Sequence, residues 1–198
     1  MPEQFNDLST PMSLLLSRRS GKPRDMVEPG PDGEALKNIL TAATRVPDHG
    51  KIAPWRFVII PKDRRDDFAR LLNTAYAEER PDAGKLEGKA IDDFARQAPL
   101  LITVLFRPDH SRSIPLKEQE WSAAAAAMTL EHAVHAAGFV SGWLTGWAAY
   151  SDKVAEGLGA AGDTIIGFMF IGSPGNALTE RPRPHLDDVV SVWEPSAG

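Results

Sequence analysis

The sequence predicts an α+β fold in which a central sheet carries helices on both sides, and three observations lead there. Segments with the helical spacing of apolar residues alternate with strand-like runs along most of the chain. Two of those runs, residues 100–106 and 165–172, are apolar on both faces, as strands covered from both sides must be. The chain has 198 residues, 42% of them hydrophobic and 25% charged, with no internal repeat, which suits one sizeable core. A single domain over 1–198 is expected, with residues 1–11 as a flexible start and 174–198 as a C-terminal extension.

Taken in order, Ser13 is positioned to cap a short helix through Leu14, Leu15 and Leu16, which stops at residues 17–20. Residues 21–32, rich in proline, glycine and charge, read as an irregular connection. Ala35, Leu36, Ile39, Leu40 and Ala43 share one face of a helix over 34–45, with Asp32 near its positive end. Residues 55–60 read as a strand, and after Pro61 a helix carries Phe68, Leu71 and Leu72 inward. The charged stretch 78–89 reads as an open, mobile connection to a short helix over 91–96. The strand 100–106 and a polar loop, 107–116, follow. The longest helix covers 117–137, through Trp121, Ala124, Met128, Leu130 and Val134, with Gly138 as its stop. Its alanines, 123–127, allow close approach of a second helix or a partner subunit. A glycine-edged strand or loop over 139–150, a helix over 151–158, the strand 165–172, proline-rich 174–184 and a last strand over 189–193 complete the chain.

Composition removes several function classes. A net charge of −5 and a pI near 5.5 argue against a non-specific nucleic-acid surface. With no cysteine there is no disulfide scaffold, iron–sulfur cluster, thiolate zinc site or cysteine nucleophile. The first 11 residues lack a signal pattern and no apolar run is long enough to cross a bilayer, so a cytoplasmic protein without membrane partners is expected. The glycine fingerprints of Rossmann and P-loop proteins, and the Gly-x-Ser-x-Gly elbow, are also missing.

Four stretches carry candidate chemistry. In residues 17–20, Arg18 and Arg19 beside Ser20 can grip a phosphate through charge-assisted hydrogen bonds, or simply complement a helix C-terminus. Residues 45–57 hold Arg45, Asp48, His49 and Lys51 in a connection that needs few polar groups merely to turn. It reads either as one wall of a ligand pocket or as a proline-stiffened loop with solvated charges. His132 and His135, three apart beside Glu131, could face one metal, but no third spaced ligand completes a site and none is assigned. Glu118 and Glu120 open the long helix where its dipole favours negative charge.

These pieces together resemble the bacterial nitroreductase family of FMN-dependent NAD(P)H oxidoreductases, in particular its short members. The match rests on residues 17–20, on Arg45-Val-Pro-Asp-His49 running to Pro54-Trp55-Arg56-Phe57, on 138–145 with Trp143, and on Arg183-Pro-His-Leu-Asp-Asp-Val-Val190. The resemblance implies a sandwich with a central mixed sheet flanked by helices, and an intertwined homodimer in which the C-terminal strand is exchanged. It implies FMN at the subunit interface. Arg18, Arg19 and Ser20 would hold the phosphate and ribityl end, joined by Arg183. Arg45 and His49 would line the cofactor, and Trp143, Leu144 and Thr145 would present groups to the flavin. Many relatives have serine, asparagine and glutamine where this chain has Asp48, Lys51 and Ala53.

The implied reaction passes hydride from NAD(P)H through the flavin to a nitroaromatic, quinone or similar acceptor, in ping-pong order. It asks no side chain to be an obligatory acid or base, so no catalytic residue is assigned. The substituted loop leaves a second reading, a non-catalytic flavin-binding or sensor protein on the same fold.

Overall fold

The computed structural model describes residues 4–82 and 84–195. Helix α1 (Pro11–Ser17) begins with Thr10 in extended conformation, its side chain accepting from the Ser13 backbone N–H at 3.0 Å. The cap is therefore Thr10 rather than Ser13, because Pro11 takes the first helical position, where its fixed φ and missing N–H cost nothing. A 3-10 turn (Pro23–Asp25) and a two-residue strand, β1 (Met26–Val27), organise the stretch expected to be irregular. Burial of Met26 is what recruits that strand.

Helix α2 (Gly33–Ala43) and strand β2 (Trp55–Ile60) flank the polar loop. Helices α3 (Arg65–Glu79) and α4 (Lys85–Arg96) extend into the charged stretch expected to be open. Tertiary contacts hold those ends: Glu79 accepts from Trp147 Nε1 and from Ser151 Oγ, each at 2.7 Å, and Glu87 reaches back to the Gly84 N–H at 3.1 Å. Strand β3 (Leu100–Phe106) is buried at every position. Helix α5 (Leu116–Ala136) ends in a Schellman motif in which the Phe139 N–H reaches Val134 O and Gly138 sits at φ +85°. Strand β4 (Val140–Leu144), helix α6 (Asp152–Gly157), capped by Ser151, strand β5 (Thr164–Pro174) and a helical turn, α7 (Leu186–Val189), follow.

Strands β3 and β5 lie at the centre; β2 pairs with β3, and β5 also takes β4 and β1. Every one of these pairs is antiparallel, which corrects the mixed sheet expected: no parallel neighbour is supplied by the described residues. Alternate side chains of β3 feed two cores, as the period of two requires. Leu101 and Leu105 join Phe68, Leu72, Phe168 and Phe170 beneath α3, α4 and α6. On the other face, Ile102 and Val104 join Ile39, Leu130, Val134 and Met169 beneath α2 and α5. Phe94 meets Phe168 and Phe170 edge to face at 5.3 and 5.1 Å.

Residues 190–193 form no strand. The segment after α7 is exposed, and a strand exists only where a ladder partner takes its backbone groups. No helix of the described residues is long and apolar enough to cross a membrane.

Candidate anion cleft and its surroundings

Arg18, Arg19 and Ser20 follow the last turn of α1, where the chain leaves the helix and the side chains diverge. Arg18 Nη1 donates to Ser20 Oγ at 3.1 Å and lies 3.6 Å from Glu131 Oε2 on α5. Arg19 is buried; its Nε donates to Thr179 O at 2.6 Å and its backbone is clamped by the Asn6 side chain. This one contact brings residues 160 positions apart together and folds 176–181 over the end of α1.

The result is a cleft of about 220 Å³ whose wall includes Arg19, Ser20, Lys22, Thr179, Glu180 and Arg181. Arg183 stands beside it, donating to Arg181 O at 3.2 Å and lying 3.5 Å from Glu180 Oε1. Burial, then the nearby Arg181 and Arg183, hold the Arg19 guanidinium below its ordinary pKa. Burial is the first cause; the repulsion from the two neighbouring guanidiniums adds to it, and an anion among them would offset that second part. Sequence reasoning missed Arg181. The signal was its place two residues before Arg183 in an arginine–proline repeat.

Arg18 leads to a polar group on α5 and β4 whose burial the sequence did not reveal. Glu131 accepts from Ser141 Oγ at 3.1 Å. Burial pushes its carboxyl above the usual range, against the pull of Arg18, of Ser141 and of the Trp143 backbone N–H. His135 is fully buried, its Nε2 accepting from the Ser141 N–H at 3.3 Å, and burial lowers its pKa to about 3. His135 is thus a neutral core residue tied to β4. Among the described residues no group of three or more histidine, aspartate or glutamate side chains could hold a metal.

Arg45 and His49 stand elsewhere. Both are exposed; His49 Nδ1 meets Glu118 Oε2 at 2.8 Å, and Ser122 Oγ donates to Pro47 O at 2.6 Å. The loop therefore rests on the first turns of α5, whereas Arg18 pairs with Glu131, thirteen residues further along. At about 1.5 Å per residue the two stations are roughly 20 Å apart on one helix. Asp48 folds the loop on itself, accepting from the backbone N–H groups of Ile52 at 3.1 Å and Ala53 at 2.8 Å. Lys51 and Ala53 consequently sit at φ +55° and +51°, a conformation that costs non-glycine residues about 1 kcal/mol or more each.

Trp143 donates its indole N–H to Ile166 O at 3.1 Å and packs over Gly167, so this side chain braces β4 against β5. Leu144 and Thr145 are exposed at the end of β4. Thr145 also edges an apolar cavity of about 220 Å³ between α3, α4 and residues 145–148.

The molecule is thus an antiparallel sheet sandwiched between helices, with an arginine-lined cleft where residues 176–181 meet the end of α1. A family model described as the nitroreductase family matches residues 15–173. The Escherichia coli K12 protein that carries the provisional name NAD(P)H nitroreductase YdjA is 37% identical over 167 residues, 82% of this chain and 87% of that one. A Haemophilus influenzae protein, provisionally named NAD(P)H nitroreductase, is 31% identical over 178 residues, 89% and 94% of the two chains. The chain belongs to the nitroreductase family. Its fold matches that of a nitroreductase-like family protein from Bacillus cereus (TM-score 0.81, 22% identity, 98% of this chain and 100% of that one). It also matches the FMN-dependent nitroreductase NfnB from Mycobacterium smegmatis, solved in complex with NADPH (TM-score 0.73, 19% identity, 95% and 100%).

Proposed function

We propose that this chain is a cytoplasmic, single-domain FMN-dependent oxidoreductase that takes hydride from NAD(P)H and passes electrons to a nitroaromatic, quinone or similar acceptor. The observation that carries it is the cleft on which Arg19, Ser20, Lys22 and Arg181 converge, with Arg18 bonded to Ser20 and Arg183 standing beside its rim. The donor set fits a phosphomonoester: planar guanidiniums and a hydroxyl, with cations in excess. Bound FMN would supply the redox chemistry itself. The chain's part is to grip the phosphate, orient the ring and exclude water. Arg19 pins 176–181 as one wall, Ser20 and Lys22 stand opposite with Arg18 bonded to Ser20, and Trp143 fixes β4 so that Leu144 and Thr145 are presented at its end.

Arg45 and His49 join the same cofactor only if a second subunit supplies them, given the roughly 20 Å of α5 between the two stations. A homodimer with the flavin between subunits is the arrangement that satisfies both. An absorbance spectrum of the purified protein, reconstituted with FMN, tests the reading. Flavin bands that bleach within seconds of anaerobic NADH or NADPH addition are expected. A protein that stays colourless with added FMN refutes the reading. Flavin bands that do not bleach support the binding-only alternative.

A further inference from the structure

The arginines of the cleft do not face an empty field. The Glu180 carboxylate stands among them: Oε1 lies 3.8 Å from Arg19 Nε and 3.5 Å from Arg183 Nη2, and it accepts from the Arg181 N–H at 2.8 Å. One oxygen thus meets groups of all three arginines that 179–183 and the end of α1 bring together. Its side chain is 27% exposed and belongs to the wall of the cleft. Both ion-pair distances exceed those of a direct charge-assisted hydrogen bond, so neither guanidinium is locked to it.

Resting on the FMN reading, we propose that Glu180 is a built-in competitor for the cofactor phosphate, an internal anion that must swing out of the arginine cluster when the phosphate enters. Two effects point the same way. The carboxylate takes the Arg181 N–H and stands in the space between the guanidiniums that a phosphate would fill, and its charge repels a dianion a few ångströms away. An opposing effect, that Glu180 organises the arginines, is weak here because other contacts already hold them. The Arg19 side chain is fixed by Thr179 O and its backbone by Asn6, and the Arg183 side chain by Arg181 O. The device would make FMN retention a property that this chain sets through a single side chain.

The test is the dissociation constant for FMN, read from quenching of flavin fluorescence, for the full chain and for Glu180→Gln, with riboflavin as a probe lacking phosphate. E180Q is expected to bind FMN about five- to tenfold more tightly, with riboflavin affinity unchanged. Asp25→Asn removes equal charge from the same cleft at a residue paired with Arg24, and is expected to give a clearly smaller gain. Weaker FMN binding in E180Q would make Glu180 an organiser of the arginines and overturn the proposal. Equal gains in E180Q and D25N, or a parallel gain for riboflavin, would overturn it as well. If E180Q and the unaltered chain bind FMN equally, this inference alone falls; if neither binds FMN, the flavin reading falls with it.

Discussion

At the scale of single residues, the least anticipated feature is the buried group made by Glu131, His135, Ser141 and Arg18. His135 titrates near pH 3 in the fold against 6.5 in an ordinary setting, first because it is desolvated and then because Arg18 and His132 lie near. A base with a lowered folded pKa is held neutral in the fold and takes up a proton more readily once unfolded. Its contribution is therefore intact above pH 6.5 and is lost as pH falls towards 3. Glu131, with its pKa raised by burial, works in the opposite sense, favouring the fold below its unfolded value and losing that contribution as pH rises. Replacing His135 by glutamine isolates the first effect and keeps an acceptor for the Ser141 N–H. Between pH 7 and pH 5 the stability of the unaltered chain relative to H135Q is expected to fall by about 2 kcal/mol. Urea denaturation at the two pH values reads this directly, and parallel behaviour of the two proteins would refute it.

At the scale of elements, α5 is the spine on which separate loops are hung. Its first turns hold the 45–54 loop through Glu118 and Ser122, and Gln119 holds 109–114 by accepting from the Asp109 N–H and donating to Asp109 O and Ile114 O. Its later turns hold α1 through Glu131 and β4 through His135. Strand β4 is in turn locked to β5 by the Trp143 indole, which lies where a Gly167 side chain would be: an added Cβ would come within 2.1 Å of Nε1. Gly167→Ala must displace the indole from Ile166 O, so a loss of about 1–3 kcal/mol is expected from overpacking. Loosened flavin retention should accompany it, because Leu144 and Thr145 follow Trp143 directly. Thermal unfolding with and without FMN checks both, and an unchanged melting temperature would show that β4 does not depend on this contact.

At the scale of the whole molecule, the single chain leaves apolar surface without cover. Met12, Leu15 and Leu16 on α1, Trp121 on α5, and Val192 and Trp193 in the C-terminal segment are all exposed, Trp193 at 83%. Exposed apolar side chains in this number, together with a segment that has no ladder partner among the described residues, are what a second copy would bury. Light scattering after size exclusion is expected to give a dimer at micromolar concentration. Removing residues 186–198 should weaken the dimer at least about thirtyfold, the loss typical of an aromatic anchor. A monomeric mass for the full chain would refute the dimer and, with it, the contribution of Arg45 and His49 to the cleft.

The sequence by itself determined the central strands, the bounds of the long helix and the order of the motifs, though not the buried face of α5, which holds Ser122, Ala123, Ala126 and Ala127 and leaves Trp121 exposed. Those features follow from local periodicity: β2 and β3 occupy the residues read as strands, and α5 starts and stops within a residue of its expected bounds. Composition likewise removed thiol and fingerprint chemistries without reference to any fold. The tertiary structure alone decided the rest, because distance along the chain says nothing about which side chains meet. It brought Thr179 to Arg19, set Arg181 in the cleft wall with Arg19, and turned His135 from a possible ligand into a neutral core residue. It ordered the charged ends of α3 and α4 through Glu79 and Glu87, and it separated the 45–54 loop from Arg18 by the stretch of α5 between Glu118 and Glu131. Periodicity sets which face of an element is apolar; packing sets what that face and its polar neighbours touch.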